Sequence, residues 1–118
     1  MFEIPVWDLL TSYSWDSKEL EFDWEIYDGF YEDLVFLKNL QLKIKIIGLD
    51  EWVTVILEKL TTQVKYGDKV CFINIENIDR EFRLYKNDKD PDDIKYIRDS
   101  VIDLKDVIRE EILIQCID

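Results

Sequence analysis

Three aspartates at alternate positions, Asp88, Asp90 and Asp92 in the stretch NDKDPDD, stand where the first, third and fifth ligands of a calcium loop would stand. The chemistry would be coordination of a hard cation by oxygen. Position six of such a loop needs glycine for its sharp turn, and here it is Asp93; position twelve, usually a long bidentate glutamate, is Asp99. The stretch therefore reads as a solvated acidic loop, mobile over 86–95, with no metal bound. Carboxylate pairs for acid–base work come next, but 27 acidic residues guarantee accidental neighbours. The chain has no histidine, which removes the commonest general base and metal ligand together. No nucleophile–base pair, phosphate loop or CxxC is present. Cys71 lies between Val70 and Phe72, and Cys116 precedes Ile117, so both read as buried free thiols. A non-enzyme with no cofactor is the expectation.

Binding chemistry is better represented. The net charge is −12 with a pI near 4.4, which disfavours direct contact with RNA or an anionic membrane surface. Residues 1–35 hold ten acids and one base, residues 36–76 five and six, and residues 77–118 twelve and eight. The acidity is thus concentrated at the N-terminal end. Ten of the sixteen aromatic residues lie within 2–36, in that same segment. In DGFYED, Phe30 and Tyr31 sit among Asp28, Glu32 and Asp33, an arrangement suited to docking a basic protein through aromatic anchors ringed by acids. At least one of the two rings should face outward.

A scaffold must hold that face. At 118 residues and 47% hydrophobic composition the chain reads as one domain, 1–118, with 1–36 as its acidic aromatic part. In KELEFDWEIY, Leu20, Phe22, Trp24 and Ile26 alternate with acids, the pattern of a half-buried strand, and Asp28–Gly29 follows as a turn. LQLKIKIIG repeats the alternation with Leu40, Leu42, Ile44 and Ile46 inward. WVTVILEKLTTQV places Val53, Val55 and Leu57 on one face, and YGDK turns the chain. In VCFINIENIDREFRLY, Cys71, Ile73 and Ile75 occupy one parity and Ile78, Phe82 and Leu84 the other, so a bulge or break is expected near Glu76–Asn77. KYIRDSV reads as a short strand. Asp103 is an N-cap candidate for a helix over 103–113, with Leu104, Val107, Ile108 and Ile112 on its buried stripe. Leu113 falls off that stripe, which predicts a helix ending near Ile112, with LIQCI as an extended tail or a last strand. The fold expected is α+β: a mainly antiparallel sheet, a small barrel or sandwich, with the C-terminal amphipathic helix packed on it.

The order of LQLKIKIIG, WVTVILEKLTTQV, VCFINIENIDREFRLY, an acidic loop and IDLKDVIREEILI resembles the YceD family, bacterial proteins named for accumulation of large-subunit ribosomal RNA. The resemblance covers about residues 37–117. YGDK stands where family members commonly carry a cysteine-containing turn, and QCID where a proline is usual, so the chain resembles a shortened relative without that turn. The resemblance implies a non-catalytic role in large ribosomal subunit production, through a ribosomal protein, an assembly factor or another nucleic-acid-binding protein. The acidic N-terminal part alone favours a different role, a nucleic-acid mimic that blocks a nucleic-acid-binding protein. No run approaches the ~18 apolar residues of a membrane-spanning helix, and MFEIPVWD lacks a basic leader, so a cytoplasmic location is expected.

Overall fold

The computed structural model describes residues 2–10, 17–49, 52–83 and 95–117. Asp88, Asp90, Asp92 and Asp93, and with them nearly all of the expected mobile loop, lie outside the described residues. In chain order the elements are β1 (Glu3–Pro5), α1 (Trp7–Leu10), β2 (Ser17–Trp24), β3 (Val35–Phe36), β4 (Leu40–Leu49), β5 (Trp52–Tyr66), β6 (Lys69–Arg83), β7 (Lys95–Tyr96), β8 (Val101–Asp103) and α2 (Lys105–Ile117). The large sheet runs β2-β4-β5-β6-β7, with β3 continuing the β4 side of β5. Its pairs are antiparallel except β6–β7. Strands β1 and β8 form a second, small antiparallel sheet. The result is sandwich-like, not a closed barrel: α2, the small sheet and α1 cover one face of the large sheet, and the core lies between.

Alternation decides which side chains enter that core. Leu40, Leu42, Ile44 and Ile46 are all buried, as are Val53, Val55 and Leu57 on β5. The expected parity change is present. Asn77 has φ 55, and buried positions pass from Cys71, Ile73 and Ile75 to Phe82 across it. Strand β5 makes the same change at the same level, because Glu58 is an extra residue relative to β4, where Lys43 pairs with Lys59 but Ile44 with Leu57. Strands β5 and β6 therefore flip together and keep one register from Trp52–Arg83 to Tyr66–Lys69. Gly67, at φ 60, occupies the first central position of the two-residue turn between them, as a II′ hairpin requires. At Gly48 a Cβ atom would lie 2.7 Å from the Leu9 carbonyl oxygen, so only glycine lets α1 sit this close to β4.

Helix α2 corrects the expectation of a helix ending near Ile112, since it continues to Ile117. Asp103 does cap its start, accepting a hydrogen bond from the Lys105 amide at 2.9 Å. Leu104, Val107, Ile108, Ile112 and Cys116 are buried, Leu113 packs at the flank of that stripe, and Ile114 stays exposed. One exposed isoleucine costs less than ending hydrogen bonding a turn early. At the far side of the sheet, the Gln115 side-chain amide exchanges two hydrogen bonds of 3.2 Å with the main chain of Asn74 on β6.

The link into β8 is a tight turn from Arg98 to Val101, with both central residues, Asp99 and Ser100, left-handed at φ 54 and 59. The Ser100 carbonyl is tied to the Val6 amide at 2.8 Å. A left-handed serine costs roughly 1 kcal/mol, and glycine gives back part of that gain in unfolded-chain entropy. Ser100→Gly is therefore expected to stabilise the protein by about 0.5 kcal/mol and Ser100→Val to destabilise it by more than about 1 kcal/mol, read from denaturant midpoints.

Candidate interaction surface at the N-terminal face

The five residues singled out in DGFYED divide into two sets. Asp28 and Glu32 are exposed. Tyr31 is not a surface anchor: it is 4% exposed, and its hydroxyl donates to the Lys105 carbonyl at 2.8 Å. Burial first, then the charges of Asp106 and Asp103, pushes its phenol well above the usual tyrosine range. Asp33 is held by Arg109 through hydrogen bonds of 3.2 and 2.5 Å, which keep its carboxyl below its ordinary value. Phe30 is half-buried. Its ring lies edge-on to Phe2 at 5.4 Å and to Tyr31 at 4.9 Å, with the Lys105 ammonium 4.7 Å from its centre. These contacts fasten the segment between β2 and β3 onto α2.

The exposed ring is Tyr27, at 62%, which packs its edge against Phe30 at 5.4 Å and presents the remainder to solvent. Its position follows from alternation, because it comes directly after Ile26, the last inward residue of the β2 pattern, and so projects outward. Val35 and Leu37 are exposed nearby in the chain. A depression of about 280 Å³, lined by Glu25, Tyr27, Asp28, Phe36, Leu37 and Lys38 among others, joins the ring to the acids. Along β2, Glu19, Glu21 and Asp23 are all exposed on one face, roughly 7 Å apart at strand spacing. Glu21 is 4.0 Å from Lys43, and Asp23 accepts a hydrogen bond from Asn39 at 3.0 Å.

A second charged cluster lies where no outward residue would be. The β5–β6 register puts Arg80 opposite Val55, on the covered face. Its guanidinium meets Glu110 at 2.5 Å and Glu111 at 2.8 Å, and Lys95 meets Glu110 at 2.8 Å. Burial alone would raise the Glu110 carboxyl, but the hydrogen bonds from Lys95 and Arg80 together hold it below its ordinary value. Every polar head here is matched, which fits a structural ion network between β6 and α2 rather than a poised acid and base. The sequence carried a signal for it. Arg80 sits between the inward Ile78 and Phe82, and Glu111 lies three residues after Ile108, on the buried stripe.

Among the described residues no three cysteine or carboxylate side chains come together to hold a metal ion. Among the described residues no helix is long and apolar enough to cross a membrane. The class defined is an α+β sandwich bearing an acidic face on which the Tyr27 ring is exposed. Compared with known proteins, the chain matches no family model, no curated protein and no solved structure.

Proposed function

We propose that this chain is a non-catalytic cytoplasmic protein that docks a basic protein partner through its N-terminal face, in the production of the large ribosomal subunit. The observation carrying the docking reading is Tyr27. The neighbouring rings of Phe30 and Tyr31 are committed to the fold, whereas Tyr27 stands exposed between Glu25 and Asp28. An exposed tyrosine within an acidic surround is a common form of anchor for a cationic patch. The ribosomal setting rests on the resemblance of the β4–β5–β6 meander and terminal helix segment to YceD proteins. A second reading, mimicry of a nucleic acid, is supported by the carboxylate row Glu19, Glu21 and Asp23 on β2.

Sedimentation with large-subunit assembly precursors tests the first reading: co-migration at low salt and release at high salt is the expected result. Displacement by duplex DNA or RNA from a nucleic-acid-binding protein would favour the second. With the partner in hand, raising salt from about 50 to 300 mM should slow association markedly, because the Debye length falls to less than about half. Tyr27→Ala should leave the melting transition nearly unchanged yet speed dissociation, by about 1–3 kcal/mol. Binding indifferent to both salt and Tyr27 would overturn the assignment of this face.

A further inference from the structure

We propose that Cys71 and Cys116 form a disulfide site, in which a small-molecule disulfide of the glutathione type oxidises the two buried thiols to a bridge between β6 and the end of α2. Cys71 points inward from β6 opposite Val64, and Cys116 closes the buried stripe of α2. Both lie in one buried core, on elements that pack against each other, so the two side chains face one another across the contact of β6 with α2. Contacts on both sides hold this approach. The Lys69 ammonium binds the Cys116 carbonyl, and the Gln115 amide binds the main chain of Asn74. Neither cysteine is bridged in the present structure.

Small apolar filling accounts for the burial of both residues; a facing pair of thiols adds the capacity to bridge β6 and α2. Burial first, then the Cys71 contact, raises the Cys116 thiol above its ordinary range, so the closed form offers little thiolate. Reaction therefore runs through opening of the last turn of α2. In the open form the Cys116 thiolate attacks one sulfur of the oxidant, its S–S bond breaks, and one small thiolate leaves and takes up the proton. On closure the Cys71 thiolate attacks the Cys116 sulfur of the mixed disulfide, forming the protein bond and expelling the second small thiol with the second proton. The protein loses two hydrogens and the oxidant gains them. The bridge then ties the end of α2 to the sheet.

The test exposes the purified full chain to oxidised glutathione, quenches and denatures it, alkylates with iodoacetamide, and reads intact mass and linked peptides. The expected product is lighter by two hydrogen atoms, carries no alkyl group, and yields one peptide pair joining Cys71 to Cys116. It should melt about 5–15 °C higher than the reduced protein, a gain abolished by dithiothreitol. Cys71→Ser and Cys116→Ser should each give no such product. Full alkylation of both cysteines in the wild-type chain after prolonged exposure, mixed disulfides without a bridge, or a bridged form that melts lower would each overturn the proposal.

Discussion

Ile108→Ala is expected to cost roughly 2–5 kcal/mol, a large fraction of the ~5–15 kcal/mol that typically holds a domain together. Ile108 is fully buried, on the stripe through which α2 covers the large sheet. Truncation removes its transfer energy and leaves a void that the sheet, rigid across three long strands, cannot fill. Lys105, three residues earlier, is exposed. Its ammonium stacks over Phe30, but the hydrogen bond from Tyr31 goes to its main-chain carbonyl, which alanine keeps. Lys105→Ala should therefore cost less than about 1 kcal/mol. Denaturant midpoints for the two variants measure the difference directly. Equal, small losses would mean that α2 does not present this face to the sheet.

Arg80→Ala should rank beside it, at about 2–4 kcal/mol, because it strands Glu111 on the covered face without its partner. Glu111 is 9% exposed and its Oε1 lies 2.8 Å from the guanidinium. Arg80→Leu combined with Glu111→Leu should recover most of the loss, since an apolar pair of similar size carries no desolvation penalty. Acid pH gives an independent reading. Glu110 and Asp33 are held below their ordinary values of 4.5 and 3.8, so the folded state favours their charged forms. Their stabilisation is present above those values and is lost as pH falls through the lowered ones. The wild-type protein should thus weaken from about pH 5 downward, and Arg80→Ala should weaken less steeply over that range. Parallel acid profiles for the two would remove Arg80 from the account.

The large sheet was legible because its chemistry is local. Alternation identified the inward residues of β4 and the first half of β5 but not the parity change at Glu58 that buries Leu60 and Val64; on β6 the change of parity expected at Glu76–Asn77 falls where Asn77 turns left-handed. Pairing of β1 with β8 was not legible, since three-residue strands at opposite ends of the sequence carry too little pattern to point to each other. The end of α2 was misjudged because a single apolar stripe was assumed; flank packing of Leu113 and an exposed Ile114 let the helix run on. The expectation that Phe30 or Tyr31 would face outward was not met: Tyr31 is buried and Phe30 half-buried. Phe30 and Tyr31 drew attention by their acidic neighbours, while Tyr27 was passed over as the end of a strand. Composition does not show how far a ring is buried; only packing does.

The pairing of Gln115 with Asn74 bears on what the large sheet can recruit. A strand edge with unpaired amides and carbonyls is a template onto which another chain can add itself. On β6 the Gln115 side chain occupies that template at its middle, and the left-handed Asn77 twists the backbone just beyond. At the opposite margin, the carboxylates of Glu19, Glu21 and Asp23 repel a neighbour of like composition. Both margins are thereby blunted against stacking into fibrils. The same features mean that a partner meets side chains and loops rather than lengthening the sheet, and that concentrated protein should remain dispersed.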